Sequence, residues 1–254
     1  MTLEIGRWGR APSLTPTANQ PIKGMNMKTI EKYAPLDLSE VVFANESSKV
    51  LIDAVAQDEI DGNVILHGPN GTGKSTVANL LAHAIGGANA MVEPKDFNTV
   101  LTMPDLQDYL QRCANLAKFT SSKKYFLIWH EFDNAKANPH ALWTALDMLG
   151  TDVMLILTTN NFIKIHPSVR SRCYAVDMPA LKATDVLPRA QWILAQEGLS
   201  LAREQLLSYL QPQQVSGDIR KYFGELDKLL YLQRQGLPMP QWNPVITRQA
   251  MRVV

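Results

Sequence analysis

The chain has 254 residues, 46% hydrophobic and 19% charged, with a formal net charge of +1. That is the composition of a folded protein with room for one large domain and a small one, and it carries no overall basic field of the kind that advertises nucleic acid. No apolar run approaches the ~18 residues of a membrane span, and Cys113 and Cys173 lie too far apart for a zinc pair, so the expectation is a cytoplasmic protein with reduced thiols.

Residues 1–28 lack periodicity and are rich in Pro, Thr, Gly and Asn, which reads as a tail. Residues 47–57 carry apolar positions at helical spacing. "NVILHG" then runs into Gly68 as a buried parallel strand would. In the helix that follows, Val77, Leu80, Leu81, Ala84 and Ile85 are assigned to one face, with Gly86 and Gly87 as its stop. A further helix is expected from Pro104 to about Lys118. Strands are expected at 125–130, 153–158 and 172–177, with a helix near 139–149 between the first two. Alternating strands and helices imply an α/β fold with a parallel sheet. After Pro179 only helical patterns occur: 185–197, 202–210 and 216–232, the last with Ser216 as its expected N-cap. The expected organisation is a tail at 1–28, an α/β domain at 29–180, a small helical domain at 181–235 and an extended tail at 236–254.

"GPNGTGKST", comprising Gly68, Pro69, Asn70, Gly71, Thr72, Gly73, Lys74, Ser75 and Thr76, matches G-x-x-x-x-G-K-[ST]. Glycines let backbone N–H groups wrap a β-phosphate, and the next helix presents its positive end to it. Lys74 neutralises β/γ charge, and Ser75 ligates Mg²⁺ directly. "WHEFD" closes the second of the expected strands. Its His-Glu pair begins like a zinc-protease motif, but Asn134 stands where the second His would be. A P-loop ATPase needs an acid for the metal and a Glu to orient water at this strand end. Glu131 fills the second role, while His130 occupies the metal-side position, where it would act on the metal through water.

In this order the motifs resemble an AAA+ P-loop ATPase, and within that group the small subunits of replication factor C. The resemblance covers residues 30–232 and implies a five-stranded parallel sheet with a small helical lid, ATP and Mg²⁺ as cofactors, and a homo-oligomer or ring. The family's second-strand motif ends in D-E-x-D; here Glu131 and Asp133 match and His130 departs. "TTN" resembles sensor-1, which implies Asn160 near the γ-phosphate. "RSRC" resembles the clamp-loader Ser-Arg-Cys box, which implies that Arg172 reaches a neighbour's ATP. "GDIR" resembles sensor-2, which implies Arg220. "KYAP" at 32–35 resembles the segment leading to the adenine pocket, with Val41 and Val42 as walls. Clamp-loader subunits carry a further helical collar for which the 254 residues leave no room, so the motor is expected to serve another DNA-linked task. DNA, or a DNA-acting protein, is the expected partner; Arg112, Lys118, Lys123 and Lys124 are candidates for contact, with a solvated basic face as the alternative reading. Slow or partner-stimulated hydrolysis is expected, with a nucleotide-locked assembly module as the alternative.

Overall fold

The protein is represented by a computed structural model that describes residues 27–96, 103–119, 121–134, 144, 146, 147 and 149–240. The helix expected near 139–149 and the two expected tails fall mostly outside the described residues.

Strands β1 (Asn63–His67), β2 (Met91–Asp96), β3 (Tyr125–His130), β4 (Val153–Thr159) and β5 (Cys173–Asp177) form one sheet. Its order is β2-β3-β4-β1-β5, and each pairing is parallel. Parallel neighbours need crossovers, which helices provide. Helices α2 (Glu46–Ala56) and α3 (Lys74–Gly86) cover one face, where Ile52, Val77 and Leu81 meet Leu66, Ile128 and Ile156. Helix α4 (Met103–Ala117) covers the other, where Leu106 and Leu110 meet Ile65, Leu127 and Leu155. Strand side chains alternate between these two layers, and with both faces covered each residue of β4 is buried. Truncating Leu155, which is fully buried at the centre, would cost on the order of 2–5 kcal/mol.

The five-stranded parallel sheet expected from the resemblance is present. Its fifth strand, β2, escaped the pattern because its run of Glu93, Pro94, Lys95 and Asp96 carries no apolar signal, which its place at an edge, bonded to β3 alone, allows. Pro cannot donate to a ladder and is tolerated at an edge. The buried face of α3 is also rotated from the expectation: Ala78 and Ala82 are buried with Val77 and Leu81, while Ala84 is exposed.

After the four-residue helix α5 (Pro167–Arg170) and β5, the described chain is helical: α6 (Ala183–Gln196), α7 (Arg203–Leu210) and α8 (Ile219–Arg234). They enclose a separate apolar cluster of Leu187, Ile193, Leu206, Leu210, Tyr222 and Leu226. The N-cap of α8 is Asp218, whose carboxylate accepts the Arg220 N–H, and not Ser216. The short helix α1 (Thr29–Lys32) packs on this helical unit: the Thr29 N–H donates to Asp227 at 2.9 Å, and the Tyr33 hydroxyl donates to Glu197 at 2.7 Å. Residues 29–33, expected with the sheet, are therefore held by the helices. No helix among the described residues is long and apolar enough to cross a membrane. Both thiols are free, and burial raises Cys113 to about 11 and Cys173 to about 12.

Candidate nucleotide site

The C-terminal ends of β1, β3 and β4 open onto one cleft, which the N-terminus of α8 closes from above. In an open parallel sheet this edge is where ligands bind. A cavity of about 300 Å³ lies there, lined among others by Gly73, Lys74, Ser75, Glu131, Asn160 and Arg220.

The loop after β1 is shaped by its glycines. Gly71 and Gly73 hold φ of +77° and +90°, the left-handed region that side chains avoid. A Cβ on Gly68 would lie 2.0 Å from the Met178 carbonyl oxygen, and one on Gly71 would lie 2.0 Å from the Asp218 carboxylate. The loop is thus pressed between β5's exit and the cap of α8. The Lys74 ammonium turns back to the Gly68 and Pro69 carbonyl oxygens at 2.8 and 2.6 Å, and the residue is 8% exposed. Burial pulls its pKa down to about 8, against the pull of Asp133 in the other direction. An ammonium held by two neutral carbonyls in a desolvated loop is poised to exchange them for an anion.

At the mouth of β3, the Ser75 hydroxyl lies 3.4 Å from His130 Nδ1. Glu131 takes a positive φ of 50°, unusual for a residue with a Cβ, and its N–H donates to Thr158 Oγ1 at 3.3 Å. That turn ends the strand and brings Glu131 to the cavity wall. Asp133 faces β4 instead, where its Oδ1 accepts the Thr159 hydroxyl at 2.8 Å and the Asn160 N–H at 3.1 Å. Asp133 therefore ties the ends of β3 and β4 together and fixes where Asn160 begins.

From above, the Ile219 N–H donates to the Gly71 carbonyl oxygen at 2.9 Å. Arg220 is held by Asp218 through Nε and Nη2, both at 3.0 Å. A second cavity of about 130 Å³ adjoins the first through Ile30, Gly73, Thr76 and Ile219. Its walls include Tyr33, Pro35, Val41, Val42, Leu181 and Phe223. A mostly apolar slot beside the glycine-rich loop is a concave surface of the kind small ligands bury.

The structure brings Asn70, Gly71, Thr72, Gly73, Lys74, Ser75, Thr76, Glu131, Asn160 and Arg220 to this pair of cavities, and Val41 and Val42 to the apolar one; His130 lines neither and meets the site through Ser75. Gly68 and Pro69 act as acceptors for Lys74. Arg172 is not among the lining residues. Its Nε and Nη2 donate to Asp147 at 2.6 and 2.7 Å, and Nη1 donates to the Ser168 carbonyl oxygen at 2.8 Å. Of the four cations weighed for DNA, Arg112 and Lys118 are exposed on and after α4. Lys123 pairs with Asp58 at 2.7 Å, and Lys124, 8% exposed, pairs with Asp61. Lys124 is thereby withdrawn from any solvated basic face. Sequence reasoning missed Ile30, Thr158, Asp218 and Ile219. Asp218 stood inside the quoted "GDIR", and its acid two residues before Arg220 was the available signal.

Residues 64–177 match the family described as the ATPase family associated with various cellular activities (AAA). Together with the sheet order and the loop geometry, that match defines the class: a P-loop AAA fold. In sequence the chain is similar to replication factor C subunits. It is 28% identical over 204 residues to a replication factor C small subunit of Thermofilum pendens, a match spanning 78% of this chain and 61% of that one. It is 24% identical over 229 residues to replication factor C subunit 4 of Encephalitozoon cuniculi, spanning 84% and 71%. Among solved structures, the Thermotoga maritima RuvB Holliday junction branch migration motor aligns with a TM-score of 0.56 at 17% identity, covering 86% of this chain and 72% of that one, a likeness of fold. The matches span 61%, 54% and 36% of three replication factor C relatives.

Proposed function

We propose that this protein binds ATP with a divalent cation in the paired cavities and hydrolyses it slowly, as a homo-oligomer or ring that acts on DNA or on a DNA-bound protein. The relatives' replication names, and the fold shared with a branch migration motor, support the DNA-linked reading; replication, recombination, transposition and defence are the settings it fits. The observation that carries the proposal is the convergence of Lys74, Ser75, Glu131, Asn160 and Arg220 on one cavity beside an apolar slot.

The roles follow from charge and position. Lys74 gives its ammonium to the β- and γ-phosphates, and Ser75 offers a hydroxyl oxygen to the cation. When bound, the cation, expected as Mg²⁺, neutralises phosphate charge. Glu131 orients and deprotonates the attacking water. Asn160, fixed by Asp133, hydrogen-bonds the γ-phosphate or that water, and Arg220 leaves Asp218 for the phosphates. Arg172 supplies the remaining positive charge to a neighbouring subunit's nucleotide, where charge develops during transfer.

A second reading, an assembly module locked by nucleotide, is favoured by His130, which puts an imidazole where the metal-side acid was expected. Steady-state ATP hydrolysis with and without DNA separates the two. The motor reading expects slow turnover that DNA accelerates and that Lys74→Ala abolishes. ATP-dependent oligomers with no turnover under either condition would establish the second reading instead.

A further inference from the structure

We propose that His130 is an inner-sphere ligand of the nucleotide's divalent cation, so that this pocket takes Mn²⁺ with ATP in preference to Mg²⁺. The inference rests on the ATP reading above and gives the cation site its chemistry.

Two donor atoms define the site. Ser75 Oγ lies at the start of α3 and His130 Nδ1 at the end of β3, and they are 3.4 Å apart. Neighbouring ligands of an octahedral ion at about 2.1 Å stand about 3.0 Å from each other. A side-chain adjustment of a few tenths of an ångström therefore lets one ion touch both atoms. The pair sits on two different elements fixed by the sheet, so its spacing comes with the fold.

The local carboxylates do not displace the imidazole from this place. Asp133 is turned to β4, where it accepts from Thr159 and Asn160. Asp218 is paired with Arg220 on the lid side of the loop. Glu131 lines the cavity and has the water to orient. Among the described residues no group of three or more His, Cys, Asp or Glu side chains is arranged to hold an ion alone. The cation therefore arrives with the nucleotide, and phosphate oxygens and water complete its shell.

Donor chemistry then selects the ion. Mg²⁺ prefers oxygen ligands and gives up its waters reluctantly, so a nitrogen at one corner is a poor exchange for it. Mn²⁺ accepts the same octahedral, oxygen-rich shell as Mg²⁺, and as the softer, less tightly hydrated d⁵ ion it holds an imidazole nitrogen more readily than Mg²⁺ does. One nitrogen among oxygens, with a serine hydroxyl and phosphates, fits Mn²⁺ better than the tetrahedral nitrogen and sulfur sites of zinc.

The test uses the full chain with ATPγS as the nucleotide. Equilibrium affinity is measured with Mg²⁺, with Mn²⁺ and with chelator, and pulsed electron paramagnetic resonance reads nitrogen coupling to bound Mn²⁺. Protein labelled with ¹⁵N-histidine separates imidazole from adenine nitrogen without any substitution. The expected result is binding about tenfold tighter with Mn²⁺ than with Mg²⁺, in the direction set by donor preference. An imidazole signal should be present that changes isotope with the label. His130→Asp should remove the signal and level the metal preference, and His130→Asn should remove the signal too. Tight binding with equal affinity for both ions and no imidazole coupling would overturn the inference while leaving the ATP reading standing. No nucleotide binding under any metal condition would overturn both.

Discussion

Two arginines in this chain are each gripped by a carboxylate, and the two grips differ in what can release them. Arg220 is held by Asp218, two residues away on the same helix cap, and both lie over the phosphate loop at Gly71. Arg220 lines the main cavity. A triphosphate in that cavity would bring a stronger anion to the same guanidinium, so the subunit's own ligand undoes the grip. Arg172 is held by Asp147, 25 residues away, and by the Ser168 carbonyl oxygen, and it does not line the cavity. Asp147 is pulled below its ordinary range by the hydrogen bonds from Arg172, and Arg172 is pushed up by the same contact. Nothing bound in the subunit's own pocket competes for it. Exposed pairs of this kind are screened by salt and readily exchanged; on the proposed reading, the anion that competes for Arg172 is a neighbouring subunit's nucleotide. One arginine belongs to its own subunit's cavity, and the other lies outside it.

The largest test of that contrast is Arg172→Ala. Hydrolysis should fall on the order of 10³-fold or more, the scale of such fingers, while ATP affinity stays near wild type. A fall in affinity with turnover intact would place Arg172 in its own subunit's site. Lys74→Ala should weaken ATP binding by roughly 100-fold, because it removes a buried ammonium from the phosphates; equilibrium titration with labelled ATP measures it. The loop's own electrostatics give a third effect. With Lys74 at about 8 in the folded protein, the free site loses its proton above that pH, while binding requires the ammonium. ATP affinity should be flat below pH 8 and fall by up to about tenfold per unit above it. Over the same window Lys74's contribution to folding stability rises, since the unfolded chain then binds more protons than the folded one. Opposite trends in affinity and stability above pH 8 would identify this lysine, and parallel trends would point to general alkaline unfolding. The smallest effect belongs to Asp147→Asn. Freeing Arg172 should strengthen ATP-dependent association about two- to fivefold, the modest scale of an exposed pair, and weaker association would mean that Asp147 presents the finger and does not hold it back.

Legibility followed range. The phosphate loop, β1, β3, β4 and the helix α8 are written in a few consecutive residues each, as glycine spacing or apolar periodicity. β2 was not, because an edge strand needs little apolar surface: its Glu93 serves the Tyr125 hydroxyl at 2.7 Å, a partner 32 residues away. The partners of Lys123 and Lys124 lie 65 and 63 residues upstream, so their exposure could not be judged from a basic run. In the site, the residues that touch phosphate chemistry were visible as motifs. What aims them was not: Asp133 was a motif position, but that it fixes Asn160 across two strands, that Asp218 holds Arg220, and that Ile30 arrives from a segment packed on the far helices are tertiary facts. Motifs encode the chemistry locally, whereas orientation is a product of tertiary contact.

The most direct measurement mixes two inactive proteins. Lys74→Ala keeps Arg172 but has a defective phosphate loop; Arg172→Ala keeps the loop but lacks the finger. If Arg172 serves a neighbour, hydrolysis by the equimolar mixture should exceed that of either variant alone at the same total concentration, through interfaces that pair an intact loop with an intact finger. A mixture no more active than the two separate variants, with mixed oligomers verified by native mass measurement, would contradict the account.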